Sequence, residues 1–369
     1  MRTTRLLAAA AATAVAAGTL SATPSGAADR PAAKPAKPAV LARGLLSPLS
    51  VAVDGPDVYV TQNFGGTLSL LRQGTKKPRT MYVAKGGAEV GAVSARRGTV
   101  TFAVSASDKQ GNYTSTRLMR IGDSGKARPF ADLLSFEKKR NPDGGVTYGA
   151  RGISDECAAA WPAEAPPAVY PGVVDSHPYA TYVTRRTTYV ADAAMNAILA
   201  VSPKGRVRTV AVLPAVPTEI TAELAEGLGL PECSVGLDYY FEPVPTDVEL
   251  GPDGKLYVSA LPGGPEDPSL GARGRVFRVN PRTGKVSTLA AGLVSPVGVA
   301  VAGNGDVYVS QLFSGALARI KKGSSTARTV RQLSMTGDVE LQGADLVVST
   351  DVLPPEGAAP DGKVLRFRR

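Results

Sequence analysis

The sequence contains nearly the same phrase twice, in two distant places. Residues 46–68 read LSPLSVAVDGPDVYVTQNFGGTL, and residues 294–317 read VSPVGVAVAGNGDVYVSQLFSGAL. The two match nearly position for position, with one extra residue at the Asn304–Gly305 turn of the second phrase. Internal similarity of this kind is typical of repeat architectures. The repeat therefore constrains the fold strongly, although it does not indicate an activity.

The repeating unit is a series of short strands and turns. It opens with a small or polar residue and Pro, followed by an apolar strand such as residues 51–53 or 299–301. A second strand of the V-Y-V type follows, as in residues 306–310. The first strands are apolar on both faces, as expected for a sheet covered on both sides. Four short strands for every 40 to 50 residues, roughly, predict an all-β fold, a six-bladed β-propeller with two loop-rich insertions.

The predicted blades follow one another along residues 39–369. They begin near Ser47, Glu89, His177, Val244, Ser295 and Gly337. The last strand, at residues 362–367, is predicted to be the third of blade six. Residues 39–42 would supply the fourth strand and close the ring without an exposed edge. Five or seven blades are the alternatives that the spacing leaves open.

The N-terminus has the pattern of an export signal. Two arginines precede an apolar run at residues 6–20, and small residues precede Asp29, so residues 1–28 are predicted to be a signal peptide. The run is short for a membrane span, with an uncleaved anchor as the alternative. Residues 29–38 form a Pro/Ala/Lys spacer that either tethers the protein to the envelope or has no role. We therefore expect a secreted, extracellular protein without a membrane span.

Two segments, at about residues 135–176 and 217–242, interrupt the repeat. They are rich in Pro and Gly and hold both cysteines of the chain. In an exported protein this predicts a disulfide between Cys157 and Cys233, with two buried thiols as the alternative. A short helix is predicted at residues 221–226. Long ordered insertions on a rigid scaffold favour a binding role, here as a cover over one face.

The charge pattern argues against nucleic acid as a partner. The formal net charge is +10, but part of it belongs to the leader and spacer, and the rest is dispersed. The chain has no basic stripe interleaved with aromatic residues, as single-strand binding would use. We expect a monomer whose partner is a small molecule, a polymer or a protein.

Several phrases are similar to known repeat families. Residues 189–192 (YVAD), with Asn196, resemble NHL-type propeller repeats, and this resemblance implies that Asp192 and Asn196 shape a turn and are not catalysts. More specific phrases resemble the ScyD/ScyE family of secreted bacterial propellers, and these are residues 141–145 (NPDGG), 175–179 (DSHPY), 241–248 (FEPVPTDV) and 261–274 (LPGGPEDPSLGARG). The resemblance covers nearly the whole mature domain. It implies a secreted NHL-like propeller but no particular activity.

Carboxylates at the predicted blade entrances are the candidate ligand-binding residues. The chain has one His, which excludes a zinc site with several His ligands. Oxygen ligands suited to Ca²⁺ remain available. The candidates are Glu89, Asp175, Glu242, Asp247 and Asp338. Otherwise each of these carboxylates caps a turn or pairs with an arginine. We therefore predict no cofactor and no metal ligands, with a Ca²⁺ site as the alternative.

His177 and the long loop of blade four complete the candidates. His177 precedes Pro178 at a blade entrance and is a candidate ligand contact or general acid or base, or else a hydrogen-bonded structural residue. The loop at residues 263–274 is longer than a hairpin needs, and Glu266, Asp267 and Arg273 either pair with one another or contact a ligand. Gln62 and Gln311 occupy equivalent repeat positions, which predicts a scaffold role.

The candidates support two main hypotheses of function. The first is a secreted, non-catalytic binding or interaction propeller of unknown ligand, and it leaves the catalytic residues unassigned. The second is a divalent-cation-dependent hydrolase or lyase, lactonase-like, at the channel mouth. A scaffold tethered through the spacer is a third possibility. The single His and the lack of a nucleophile motif favour the first.

Overall fold

The fold is built almost entirely from short antiparallel strands. A computed structural model describes residues 37–72, 77–264, 270–355 and 357–369. Within these residues the strands form seven four-stranded sheets. Six of the sheets follow the unit predicted from the repeat, and the seventh comes from the two insertions.

Sheets 1 to 3 each consist of four strands that lie side by side in chain order. Sheet 1 contains Val51–Asp54, Asp57–Gln62, Thr67–Leu71 and Arg79–Val83. Sheet 2 contains Glu89–Arg96, Thr99–Ser107, Tyr113–Ile121 and Ala127–Asp132. Sheet 3 contains Pro178–Val183, Thr188–Asp192, Ala197–Val201 and Val207–Val212.

Sheets 4 to 6 repeat this arrangement in the second half of the chain. Sheet 4 contains Pro245–Leu250, Leu256–Ala260, Gly274–Val279 and Val286–Leu293. Sheet 5 contains Pro296–Val301, Val307–Gln311, Ala316–Ile320 and Ala327–Gln332. Sheet 6 contains Val339–Gln342, Asp345–Thr350, Gly362–Arg368 and Ala39–Leu45.

The hydrophobic core lies between neighbouring sheets. The first strand of each sheet contacts the next sheet, from sheet 1 round to sheet 6 and back to sheet 1. One apolar cluster fills each of these boundaries; Phe102 belongs to the cluster between sheets 1 and 2, and Phe277 to that between sheets 3 and 4. Burying a Val, Leu or Phe side chain stabilises the fold by about 1.5–3 kcal/mol. This packing explains the two-sided apolar strands, and the predicted β-propeller is confirmed.

The ring closes as the sequence predicts. Ala39–Leu45 pairs antiparallel with Gly362–Arg368, so the first and last described strands are neighbours in sheet 6. The buried side chains of Ala42 and Leu45 pack with Val51 and Val58 of sheet 1. Closure therefore joins the two ends of the described chain through both hydrogen bonds and apolar contacts.

The two insertions pair with each other, which the loop-rich description did not anticipate. Thr147–Ala150 and Asp238–Phe241 lie side by side at the centre of an inserted sheet, flanked by Val169–Pro171 and Val216–Glu219. Helices occur here too, at Leu133–Arg140, Asp155–Ala159 and Ala222–Leu228, with a 3₁₀ turn at Glu232–Ser234. The helix predicted at residues 221–226 is thus confirmed.

The predicted disulfide is confirmed as well. Cys157 and Cys233 are joined with an S–S distance of 2.04 Å, and each lies in or beside a short helix of a different insertion. The bond links the two segments that form the inserted sheet. In the part of the chain that the structure covers, no helix has the length and hydrophobicity needed to cross a bilayer.

Candidate functional site

His177 and Glu89 meet where sheets 2 and 3 begin. His177 Nε2 lies 3.0 Å from Glu89 Oε2, and Asn63 Nδ2 donates to Glu89 Oε1 at 3.0 Å. The Tyr113 ring stacks on the imidazole with a centroid distance of 4.8 Å. The histidine is therefore held by an ion pair on one side and an aromatic ring on another. Tyr113 was not singled out by the sequence analysis, since it lies far away in the chain.

The electrostatics of this pair favour two charged partners. Burial lowers the pKa of His177, but the hydrogen bond and charge of Glu89 outweigh that effect and raise it overall. Burial raises the pKa of Glu89, but His177 and Asn63 more than reverse this and leave it lowered. Both shifts favour the charged form of each partner, so the pair is held by an ionic hydrogen bond.

Asp192 fixes the backbone that carries His177. Its Oδ1 accepts hydrogen bonds from the backbone amides of His177 at 2.8 Å and Met195 at 3.2 Å, and its Oδ2 accepts one from Ser176 Oγ at 2.8 Å. Burial raises the pKa of Asp192 to about 6, against the opposing effect of these bonds. The predicted turn-shaping role of Asp192 is confirmed. Asp175, two residues before His177, accepts a bond from the Ser176 amide at 2.8 Å.

Glu242 belongs to a second group of polar residues, centred on Asn196. Asn196 Nδ2 donates to Asp143 Oδ2 at 2.9 Å and to Glu242 Oε2 at 3.1 Å, while its Oδ1 accepts from the Val244 amide at 3.1 Å. Tyr148 also donates to Asp143 Oδ2, at 3.0 Å. Asn196 has a φ of 51°, which suits an asparagine at a turn. It thus connects sheet 3 with both insertions.

Glu137 lies between these two groups and is fully buried. Burial, together with the negative charges of Asp143, Asp192 and Asp175, raises its pKa to about 8, against a smaller opposing effect of the Asp175 amide. Neither carboxylate oxygen makes a hydrogen bond of ordinary geometry with a described residue. Glu137 therefore connects the region of Asp175, His177 and Glu89 with the Glu242 group. The sequence pattern did not point to this residue.

Asp247 and Asp338 lie elsewhere and connect neighbouring sheets. Asp247 accepts hydrogen bonds from the amides of Val248 and of Val299 in sheet 5, both at 2.7 Å. Asp338 accepts hydrogen bonds from the amide of Val339 at 2.7 Å and from the amide of Val51 in sheet 1 at 2.8 Å. Both side chains are buried, at 7% and 8% exposure. Their observed contacts are therefore those of scaffold residues, separate from the His177 group.

A further pair of carboxylates occupies the opposite end of the channel. Glu249 and Glu340 line a cavity of about 310 Å³, which is bordered by the first strands of all six sheets. Burial, with a smaller contribution from the charge of Asp247, raises the pKa of Glu340 to about 8. Burial also raises the pKa of Glu249, with a further contribution from Glu340. This end of the channel thus contains carboxyl groups whose neutral form is favoured, together with Arg96.

A separate cavity of about 520 Å³ lies at the end of the ring where the first strands begin. Its lining combines apolar walls with one arginine and two serines, and it includes Val244, Leu261, Arg273, Ser295, Phe313 and Ser314. We call this space the mouth cavity. It lies between sheets 4 and 5, beside the long loop of sheet 4.

Arg273 lies at the wall of the mouth cavity, with its guanidinium over an aromatic ring. Its Nη2 donates to the Gly263 carbonyl oxygen at 2.9 Å, and its Cζ lies 4.4 Å from the centroid of the Phe241 ring. Burial lowers the pKa of Arg273 to about 10, so the side chain stays charged at neutral pH. Glu266 and Asp267 lie outside the described residues, so their predicted pairing with Arg273 stays a prediction.

The repeat-equivalent amides have the predicted scaffold role. Gln62 Oε1 accepts from the Leu46 amide at 2.8 Å, and Gln311 Oε1 accepts from the Val294 amide at 2.7 Å. Over the described ranges, no set of three or more His, Cys, Asp or Glu side chains is arranged to hold a metal ion.

Comparisons with solved structures support the fold. No family model and no curated protein matches the sequence. An oxidoreductase described as a glucose dehydrogenase, from Thermus thermophilus, is 16% identical over 90% of this chain and 99% of that one, with a TM-score of 0.54. The soluble aldose sugar dehydrogenase of Escherichia coli is 11% identical over 90% and 99%, with a TM-score of 0.52. The PQQ-bound aldose sugar dehydrogenase of Streptomyces coelicolor is 14% identical over the same shares, at 0.51. These neighbours are β-propellers, and at such identities the likeness concerns the fold alone.

Proposed function

We propose that this protein is a secreted, non-catalytic binding propeller of the ScyD/ScyE kind, and that its ligand occupies the mouth cavity. The observation that carries the proposal is Arg273, a charged side chain held over Phe241 at the wall of a cavity of about 520 Å³. Cavities of several hundred Å³ with apolar walls and few polar groups are typical of small-molecule sites. The cavity lies beside the long loop and the inserted sheet, where this chain departs from its own repeat.

The state of the single histidine supports a role without catalysis. His177 is committed to Glu89 through Nε2 and is stacked on Tyr113, and neither His177 nor Glu89 lines the mouth cavity. The two cysteines form a disulfide, which removes them as nucleophiles. A disulfide of this kind also accords with an oxidising compartment, as expected for the predicted signal peptide.

A binding screen combined with turnover assays tests the proposal. The mature protein is screened by thermal shift and calorimetry against neutral, anionic and cationic fragments, while the same fragments, lactones and esters are assayed for product. We expect binding that is weakened at least tenfold when Ala272→Trp obstructs the mouth cavity, with no product formed. Turnover that is abolished by His177→Gln and unaffected by Ala272→Trp would contradict the proposal.

The acidic residues near His177 support a second candidate, a divalent-cation-dependent hydrolase or lyase. Glu89, Asp175 and Glu242 supply carboxylates in one connected polar region, and Ca²⁺ prefers oxygen ligands. This candidate predicts lactone or ester turnover that rises on addition of Ca²⁺ and falls at least a hundredfold in Glu242→Gln. Tight metal binding without turnover, or turnover without metal, would exclude it.

A further inference from the structure

The guanidinium of Arg273 has hydrogen-bond donors that no described residue uses. Nη2 donates to the Gly263 carbonyl oxygen, whereas Nε and Nη1 are buried and have no acceptor in the described part of the chain. Buried donors are almost always paired, since leaving them unpaired reduces stability. These donors belong to a side chain that lines the mouth cavity, so the cavity wall holds a guanidinium whose hydrogen-bonding capacity the described residues do not exhaust.

Other arginines of the same region show the usual arrangement. Arg278 donates to Asp253 Oδ2 at 2.5 Å, and Arg319 pairs with Asp306. Arg275 and Arg278 each leave Nε unpaired, but neither lines the mouth cavity. Arg273 has no carboxylate partner among the described residues, and it is the one charged residue among those that line the cavity. The cavity therefore has an uncompensated positive charge within the described structure.

The backbone holds Arg273 in a fixed place. A Cβ atom at Gly274 would lie 2.2 Å from Pro296 Cδ, and one at Gly264, where φ is 106°, would lie 2.7 Å from Phe241 Cε1. Both glycines are thus required for the close approach of the loop ends to their neighbours. Together with the Phe241 ring below it, this packing orients the guanidinium plane before any ligand arrives, which favours tight binding.

We infer that the ligand of the mouth cavity is a small organic acid, whose oxyanion pairs with the guanidinium of Arg273. The inference rests on the proposed binding function and names its ligand class. Arginine binds carboxylates through charge-assisted N–H bonds from its planar guanidinium, which stays charged at neutral pH. Val244, Leu261 and Phe313 supply apolar walls for the body of the acid, and Ser295 and Ser314 supply further polar groups.

Isosteric probes test this inference directly. Calorimetry measures the binding of benzoate, its neutral analogue benzamide, and phenylphosphonate to the mature protein. We expect benzoate to bind at least tenfold more tightly than benzamide, and this preference to disappear in Arg273→Met and to weaken in Arg273→Lys, which keeps the charge but not the planar donors. Arg331→Met is the matched control, since it removes an arginine stacked on Phe367 in sheet 6 and should leave binding unchanged.

The remaining outcomes are also decisive. A preference for phenylphosphonate would assign the site to phosphoryl groups, and a preference for benzoate to carboxylates. Benzamide binding as tight as benzoate, unchanged in Arg273→Met, would overturn the inference while leaving a binding function in place. Benzoate binding that appears only in Glu266→Gln/Asp267→Gln would also overturn it, because the chain's own carboxylates would then be the partners of Arg273. If neither benzoate nor phenylphosphonate binds to any variant, the inference about the ligand class is overturned as well. The proposed binding function is tested separately, by the fragment screen.

Discussion

At the scale of single residues, buried carboxylates have two distinct environments in this protein. Asp247 and Asp338 each accept two backbone N–H bonds and thereby join one sheet to the next. Glu137 is equally buried but makes no hydrogen bond of ordinary geometry to a described residue. Asp247 and Asp338 should therefore stabilise the ring, whereas Glu137 should make the stability of the ring depend on pH.

Asp247→Ala should destabilise the propeller. The change leaves the Val248 and Val299 amides without their acceptor, and each such loss costs about 1–3 kcal/mol. We expect the free energy of unfolding, measured by urea denaturation, to fall by about 2–6 kcal/mol. Asp361→Ala, at an exposed carboxylate, is the control and should change it little. A more stable Asp247→Ala variant would show instead that repulsion among the channel carboxylates dominates.

Glu137→Gln should remove a pH dependence of stability. The folded-state pKa of Glu137 is raised to about 8, so this group contributes a loss of stability as pH rises from about 4.5 through 8. We expect the variant to match the wild type near pH 5 and to exceed it at pH 9 by a few kcal/mol in urea denaturation. Glu164→Gln, at an exposed position, should show no such difference. Equal pH profiles for wild type and Glu137→Gln would contradict the assignment.

The sequence predicts local roles at this scale better than distant contacts. The equivalence of Gln62 and Gln311 follows from the repeat, and the turn-shaping role of Asp192 follows from the NHL-like phrase. Glu137 and Tyr113 escaped selection because their positions beside Asp175 and His177 depend on how remote segments pack. No short-range pattern reports such packing.

At the scale of secondary-structure elements, the inserted sheet is the main departure from expectation. Its strands have three or four residues and lie in Pro- and Gly-rich segments, so their alternation is too short to recognise. The cysteines gave the clearer indication, because they predicted that the two insertions are linked. The Cys157–Cys233 bond spans 76 residues of sequence.

Cys157→Ala/Cys233→Ala should loosen the inserted sheet before the ring. The chain-entropy model assigns about 4 kcal/mol to a loop of this length. We expect hydrogen exchange of residues 147–171 and 216–241 to become at least tenfold faster, with sheets 5 and 6 nearly unchanged. Wild-type protein under the same non-reducing conditions is the reference. Equal acceleration in all sheets would mean that the disulfide stabilises the whole ring.

Leu45→Asp should disrupt ring closure. Leu45 is buried against sheet 1 in the strand that completes sheet 6, and an unpaired buried charge is strongly destabilising. We expect a fall of more than about 3 kcal/mol in the free energy of unfolding, or aggregation through the exposed sheet edge. Arg43→Asp, two residues away and exposed, should have little effect. A stable, monomeric Leu45→Asp variant would contradict the role of this strand.

At the scale of the whole molecule, the two halves of the ring entrance differ in character. The beginnings of sheets 2 and 3 carry the His177–Glu89 pair. Sheets 4 to 6 and sheet 1 contribute an apolar cluster that includes Leu49, Val297 and Val352. The repeat predicted the ring and its closure, because they depend on local strand patterns. It did not predict the mouth cavity, which depends on how the sheet 4 loop packs against sheet 5 and Phe241.

Hydrogen exchange of the mature protein with and without saturating benzoate tests the central claim most directly, with product analysis of the same samples. With benzoate bound, hydrogen exchange should become slower at residues 261–264, 271–274 and 294–295, and this protection should be lost in Arg273→Met. Product analysis should show that the benzoate is not converted. Protection centred instead on residues 89–91 and 175–179, unaffected by Arg273→Met, would contradict it.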